Sequence, residues 1–239
     1  MDDYFEFKLT GLTEGLDAFC VGLEKQIPFI TALALTWTAQ QAKGDLISEM
    51  ESVFDRPTSY TLNALFVRAA RKTRLEAKIE TKLWGNKYLS VQVFGGKRGQ
   101  KRSELHMQRA GIMHGFPHWV PGSGARLNKF GNMSGGQVMQ VLSRLQAAFD
   151  PYQNTTEKSL KRNRKPREYF ATTKHSSHLA PGVWERYGRG KRKVRPVMIF
   201  VKEATYSKRL KFHEVAGESA ERNIEDQFFK ALDYVDTRL

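Results

Sequence analysis

The chain has 239 residues, 40% of them hydrophobic, so it can bury a sizeable core and is not a wholly disordered polypeptide. Lysine and arginine number 39 against 25 aspartates and glutamates, which gives a net charge of +14. A charge of this sign predicts a negative partner: nucleic acid, an acidic protein surface or anionic lipid.

The N-terminal third predicts one strand and two helices. Residues 4–9 alternate apolar and polar side chains, which is typical of a short strand. Thr13 is placed to cap a helix that runs to about Lys25 and carries the single cysteine, Cys20, as a buried structural thiol. Pro28 fits the first turn of a longer helix that stops at Phe54. The apolar stripe of that helix repeats at steps of three and four: Ala32, Leu35, Ala39, Ala42, Leu46, Met50 and Val53.

A sheet is predicted next. Arg56 precedes a proline and is expected to be extended, and Thr61 is expected to cap one further turn through Leu65. Residues 75–83 alternate apolar with charged side chains, the pattern of a half-buried antiparallel strand. Its predicted neighbours are strands at residues 66–71 and 89–94, the second reached through a turn at residues 85–87.

The middle of the chain has a different character. Residues 103–149 are predicted to be an insertion between sheet strands, with helices near both ends and a turn-rich passage at residues 115–134. Residues 150–167 form a basic linker with almost no apolar side chains, and residues 169–171 begin another strand.

Residues 179–206 predict a buried hairpin with a cationic turn. The first segment, 183–187, places Val183 and Glu185 on one side, and the second, 196–202, is apolar on both faces. Gly188 and Gly190 permit positive φ angles in the reversal. Residues 212–234 then read as a terminal amphipathic helix. The predicted fold class is α+β: an antiparallel or mixed sheet packed with long helices, with a helical and loop insertion and a C-terminal helix.

These patterns predict four regions. Residues 1–102 form the N-terminal helices and first sheet strands, 103–149 the insertion and 150–168 the basic linker. Residues 169–239 supply the core hairpin and the C-terminal helix, which complete the first domain. No signal peptide is expected, since Asp2 and Asp3 stand where a positive n-region would be, and the apolar run at residues 27–39 is too short to span a membrane. We therefore expect a reducing, cytoplasm-like setting.

No catalytic constellation is recognisable. One cysteine excludes an internal disulfide and a multi-cysteine zinc site. His114 and His118 are separated by Gly115 and Pro117, so they cannot share a helix face as a metal-ligand pair. The chain lacks GxSxG and HExxH motifs, and GGKRGQK at residues 95–101 lacks the order of a nucleotide-binding loop. We expect no enzyme activity, no cofactor, no metal and no small-molecule substrate.

Three basic segments are the candidate contacts with DNA or with another subunit. They lie at residues 97–102, 158–167 and 189–195, near Tyr169, Trp184 and Tyr187. Such loops can bind a phosphate backbone without sequence preference, although charge that serves only solubility would look the same. The candidate residues are Lys97, Arg98, Lys101, Arg102, Lys161, Arg162, Arg164, Lys165, Arg189, Lys191, Arg192, Lys193 and Arg195.

Three blocks together resemble proteins of tailed-phage morphogenesis regions, of the minor tail protein Z or tail-completion type. They are FDRPTSYTLNALFVRAARKTRLEAKI at 54–79, ARLNKFGNMSGGQVMQVLSRLQA at 125–147 and LAPGVWERYGRGKRKVRPVMIFVKEATYSKRLKF at 179–212. The resemblance implies a virion structural protein at the head-to-tail junction, assembled in the host cytoplasm as a homo-oligomeric ring between head connector and tail tube. Its partners would be itself, neighbouring neck and tail proteins and packaged double-stranded DNA, with no membrane.

The insertion is longer than compact members of that family have. A second hypothesis is a sequence-independent DNA-binding accessory protein that acts through its basic loops. A nuclease is the least supported reading of the same residues.

Overall fold

The computed structural model describes residues 6–9, 26–162, 167–173 and 179–236. It confirms the α+β class, with small antiparallel sheets, packed helices and a long C-terminal helix. The chain divides into two compact units: unit 1 is Met1–Gly96 with Tyr206–Leu239, and unit 2 is Lys97–Thr205.

Unit 1 joins a three-stranded sheet to helices. Its strands are β1 (Glu6–Leu9), β2 (Leu65–Arg68) and β3 (Ala77–Thr81), antiparallel in the order β1-β3-β2. Its helices are α1 (Ile27–Val53), α2 (Ser59–Leu62), α3 (Leu83–Phe94) and, at the other end of the chain, α7 (Phe212–Asp236). The two-residue strands β4 (Gly96–Lys97) and β9 (Thr205–Tyr206) pair where the chain passes between the units.

The core of unit 1 follows from the stripe on α1. Pro28 lies in the first turn, where a missing amide proton costs no hydrogen bond, and Leu35, Leu46 and Met50 are fully or almost fully buried. They pack with Ile79 of β3 and with Phe212 and Ala216 at the start of α7. The predicted α1, β2, β3 and terminal helix are confirmed, with shorter strands than expected. The predicted helix at residues 13–25 and Cys20 lie outside the described residues.

Helix α3 contradicts the strand predicted at residues 89–94. Residues 85–87, expected to form a turn, lie inside this helix. Gly85, Leu89 and Val93 follow one another at steps of four and are all buried. A β-carbon on Gly85 would lie 2.7 Å from that of Ala64, so glycine lets α3 approach the residue that precedes β2. The place beside β3 is taken by β1.

Two local predictions after α1 are also wrong. Arg56 was expected to be extended but has φ +48°, in the left-handed region. Helix α1 ends instead at the extended residue Phe54, whose N–H still donates to the Met50 carbonyl. Thr58, not Thr61, caps the following turn: its side-chain oxygen accepts from the Thr61 N–H at 3.2 Å.

Unit 2 is built on a four-stranded antiparallel sheet in the order β5-β8-β7-β6. Its strands are β5 (His118–Pro121), β6 (Glu168–Thr172), β7 (Gly182–Tyr187) and β8 (Lys193–Val201). Its helices are α4 (Arg102–Arg109), α5 (Gly135–Arg144) and α6 (Glu157–Arg162), with 3-10 turns at Pro151–Gln153 and Arg189–Lys191.

The predicted hairpin is confirmed as β7 and β8, with an irregularity between Val183 and Trp184. Gly188 and Gly190 have φ angles of +82° and +66°, as the tight reversal required. Met198 and Phe200 are buried, whereas Ile199 between them is partly exposed. The core of the unit packs this hairpin against residues from α4, α5 and β5, namely Met107, Val141, Leu142 and Trp119.

The division into units differs from the predicted boundaries. The core hairpin does not complete the first domain, because β8 pairs with β5, which comes from the segment predicted to be an insertion. Residues 103–149 are therefore part of the fold of unit 2, and the segment Tyr206–Leu239, which contains α7, returns to unit 1. The turn-rich reading of residues 115–134 missed β5. No helix among the described residues is both long enough and apolar enough to cross a membrane.

Candidate nucleic-acid and subunit contact surface

In the first basic segment, residues 97–102, Arg98 is buried inside unit 2, whereas Lys97, Lys101 and Arg102 are exposed. Arg98 is 8% exposed, and its two terminal nitrogens donate to the two carboxylate oxygens of Glu104 at 2.9 and 2.6 Å. Glu104 is completely buried and also accepts the backbone N–H of Lys101 at 2.6 Å and of Trp119 at 3.0 Å. The carboxylate thus joins residues 98–101, α4 and β5. The Arg98 guanidinium is directed inward.

Burial and hydrogen bonding change the pKa values of Glu104 and Lys101 in this network. Burial alone raises the pKa of Glu104, but the hydrogen bonds from Arg98 and from the backbone at Lys101 and Trp119 outweigh it and lower that pKa. Burial and the neighbouring Arg98 charge lower the pKa of Lys101, whose ammonium lies 4.6 Å from the ring centre of Trp119.

The flanking cations of the same segment also have internal partners. Arg102 lies 4.4 Å from the ring centre of Phe149, and Lys97 donates to Glu203 at 2.7 Å on the surface. All four candidate contacts of this segment, Lys97, Arg98, Lys101 and Arg102, are thus engaged within the unit.

The second segment is only partly described. Lys161 and Arg162 are exposed on the last turn of α6, whereas Arg164 and Lys165 lie outside the described residues. Residues 151–162, expected to be linker, form a 3-10 turn and α6.

The third segment holds its exposed cations on one tight turn, and residues 189–193 are called the basic tip. Arg189, Lys191, Arg192 and Lys193 are all exposed. The ammonium of Lys191 pairs with Glu168 at 3.0 Å. The reversal holds these four cations within five residues at the end of a paired hairpin. This is the concentrated positive surface that the sequence predicted.

Glu185 anchors the base of the basic tip, a role that sequence reasoning did not assign. It is 3% exposed and accepts from Arg167 at 2.9 Å and from Arg195 at 2.9 Å. Arg195 also lies 5.0 Å from the ring centre of Tyr187. The candidate Arg195 is therefore committed to an internal ion pair. The alternation of residues 183–187 predicted that Glu185 lies on the same side of the strand as Val183, and the structure shows that this side is buried.

A cleft of about 570 Å³ opens beside β6 in unit 2. Its walls come from α5, α6 and β6 and include Arg144, Arg167 and Tyr169. An adjoining hollow of about 290 Å³ shares Arg144 and Tyr169 and reaches Lys191 of the basic tip. Arg144 and Arg167 are not among the candidate residues: Arg167 closes the second basic segment, and Arg144 lies on α5, outside every basic segment.

Charge is divided sharply between the units. Unit 2 contains 22 of the 39 lysines and arginines but only six of the 25 aspartates and glutamates, so it carries a net +16. Unit 1 has the remaining 17 cations and 19 anions and carries −2. The whole positive excess of the protein therefore belongs to residues 97–205.

No cluster of three or more His, Cys, Asp or Glu side chains that could hold a metal ion occurs within the described ranges. Comparisons with protein-family models, with curated proteins and with solved structures found no match for this chain.

Proposed function

We propose that this chain is a structural subunit of the head-to-tail junction of a tailed phage, of the tail-completion or minor tail protein Z type. It would form a closed ring of identical copies between the head connector and the tail tube, in virions assembled in the host cytoplasm. The resemblance of three sequence blocks supports this. Those blocks supply buried residues of both units: Leu65 and Ile79 in unit 1, and Leu142, Val183 and Met198 in unit 2.

The observation that carries the proposal is the separation of charge. A neck subunit must contact other proteins and also lie beside a channel through which DNA passes. A chain with +16 on one unit and −2 on the other can direct the first to DNA or to acidic neighbours and use the second for protein packing. A ring is the closed arrangement that identical subunits reach through a rotational contact.

The proposal is tested by deleting the gene from the phage or prophage that encodes it and supplying it again in trans. We expect separate heads and tails without the protein, joined particles when it returns, and a fixed number of copies per virion by quantitative mass spectrometry. Complete and infectious virions formed without it would contradict the proposal.

DNA binding as the main role is the second candidate, favoured by the exposed cations of the basic tip. Neutralising phosphates with these side chains releases counterions, so affinity would fall steeply with salt and show no sequence preference. Titration of a labelled duplex in increasing sodium chloride measures this. Little affinity even at about 10 mM salt, where screening is weak and charges interact over roughly 30 Å, would remove this candidate.

A further inference from the structure

Helix α7 presents an acidic stripe on its outer face. Glu218, Glu221 and Glu225 follow one another at steps of three and four, so they lie on one side of the helix, and all three are exposed. Phe229 continues the same line and is 55% exposed. The core-facing residues of the helix, such as Ala216 and Ala220, lie elsewhere on its circumference and are buried.

The carboxylates of this stripe lack a cationic partner in the described part of the chain. The neighbouring Arg222 is committed to Asp45 at 2.8 Å, and Lys208 to Glu214 at 2.7 Å. Like charges three and four residues apart on a helix repel each other, so the stripe weakens α7 while it is solvated. A cationic partner would reverse the sign of that interaction.

The basic tip has matching chemistry. Its four exposed cations lie beside Tyr187 and Val194, which are 39% and 36% exposed. The acidic stripe, similarly, combines carboxylates with the exposed ring of Phe229. Glu218 to Glu225 spans about 10 Å along the helix axis, a distance comparable to the width of a two-stranded hairpin tip with its side chains. Both surfaces thus pair charge with a small apolar contact.

We propose that the basic tip of one copy docks on the acidic stripe of α7 in the next copy, which joins the copies head to tail. This inference rests on the proposed ring and names its contact surfaces. Two different complementary surfaces on one chain make a heterologous interface, which closes into a ring when the rotation between copies allows it. A second copy is the partner because it carries the acidic stripe, whereas DNA could engage the tip but leaves the stripe unpaired.

Charge reversal on each side tests the contact in the full-length protein. The tip variant is Arg192→Glu with Lys193→Glu, and the stripe variant is Glu221→Lys with Glu225→Lys. Each should raise the dissociation constant of the oligomer at least about tenfold, because like charges then face each other. The four substitutions together should restore assembly, and a mixture of the two variants should restore the pairwise contact, with copies of the two variants alternating. Light scattering after size-exclusion chromatography measures the mass.

A matched control separates the contact from overall charge. Arg109→Glu with Lys202→Glu changes the net charge of unit 2 as much as the tip variant does, at exposed positions at the end of α4 and after β8 that lie outside the three basic segments, and should leave the oligomer unchanged. Circular dichroism checks that every variant is folded.

The outcomes separate this inference from the function it rests on. Rings that persist in both variants, or variants that fail together and are not restored in combination, would overturn the docking contact and leave the neck proposal standing. A tip variant that loses DNA affinity but keeps its rings would assign the tip to DNA, against this inference. A wild-type protein that stays monomeric in solution and in particles would remove both.

Discussion

The two units of this protein are stabilised in different ways. In unit 1 two long helices and a small sheet bury aliphatic side chains such as Leu46 and Met50, and its charges nearly balance. In unit 2 the sheet core is apolar as well, but two carboxylates, Glu104 and Glu185, lie inside it, and each is bonded to arginine. These are the buried carboxylates of the described residues, and both belong to the unit with the positive excess.

The difference shows two uses of positive charge in one unit. Arg98 and Arg195 are held by buried carboxylates and help to fix residues 98–101 and the hairpin, whereas Arg189 and Arg192 are exposed on the surface. A buried ion pair contributes little net stability but is costly to break, since the remaining charge is left without its partner. Substituting Glu104 or Glu185 should therefore cost more than breaking an exposed ion pair.

Glu104→Gln should produce the largest effect. It leaves the buried Arg98 guanidinium without a counter-charge, and we expect a loss of about 3–5 kcal/mol in the free energy of unfolding. Urea denaturation measures the loss, and hydrogen exchange should locate it in β5 and β8 rather than in α1. The control is Glu203→Gln, which breaks the solvent-exposed pair with Lys97 and should cost far less. Equal losses would contradict the internal role of Glu104.

The same pair gives a pH dependence with a definite sign. The folded-state pKa of Glu104 lies below its unfolded value of about 4.3, because the hydrogen bonds from Arg98 and the backbone outweigh burial. Its stabilisation is therefore complete above the unfolded pKa and is lost as the pH falls through the folded pKa. The difference between wild type and Glu104→Gln should shrink in acid, and a difference that is constant from neutral to strongly acidic pH would refute this.

Two glycines of unit 1 give a smaller effect that depends on packing alone. Gly85→Ala would place a β-carbon 2.7 Å from that of Ala64 and should destabilise the unit by about 1–2 kcal/mol. Gly44→Ala, in the exposed middle of α1 with nothing within 4 Å of the new carbon, should stabilise it by about 0.5–1 kcal/mol. Thermal unfolding of both variants gives the comparison, and a shift of the same sign would show that close approach does not govern α3.

Local periodicity allowed much of the fold to be predicted. The stripe on α1, the alternation of β3 and the turn glycines of the hairpin all depend on neighbours in the chain. Helix α3 was missed because Leu89, Val91 and Val93 alternate as in a strand and are all buried. The position beside β3 is filled instead by β1, which lies about 80 residues before Leu89 in the chain and is not indicated by the local pattern. Strand β5 was missed because its proline and glycine flanks favour turns, while its pairing with β8 is distant in sequence.

The local sequence predicted the exposure of the basic tip but not the burial of Arg98. The basic tip needs only two glycines and its own cations, so its exposure follows from the local sequence. Arg98 looks like a solvated loop cation until Glu104 and the Trp119 backbone are brought together across α4 and β5. Burial of a charge depends on contacts between elements, and composition does not contain that information.

Salt should have the smallest effect on stability, and the effect should differ between the two units. Raising the ionic strength from about 10 mM to about 150 mM shortens the screening length from roughly 30 Å to about 8 Å. Repulsion within unit 2, at +16, should weaken, and its opening free energy should rise by on the order of 1 kcal/mol or less, while unit 1, at −2, should hardly change.

Hydrogen exchange of β8 and α1 amides in the same sample measures the salt response of unit 2 and that of unit 1 at once. Sodium salts of two different anions at equal ionic strength serve as the control, since screening depends on ionic strength and anion binding depends on the ion. Stabilisation of β8 by one anion only would mean that the cations of unit 2 bind that ion at a site. Equal stabilisation of α1 and β8 would mean that the charge excess, although it belongs to one unit by sequence, does not act on that unit alone.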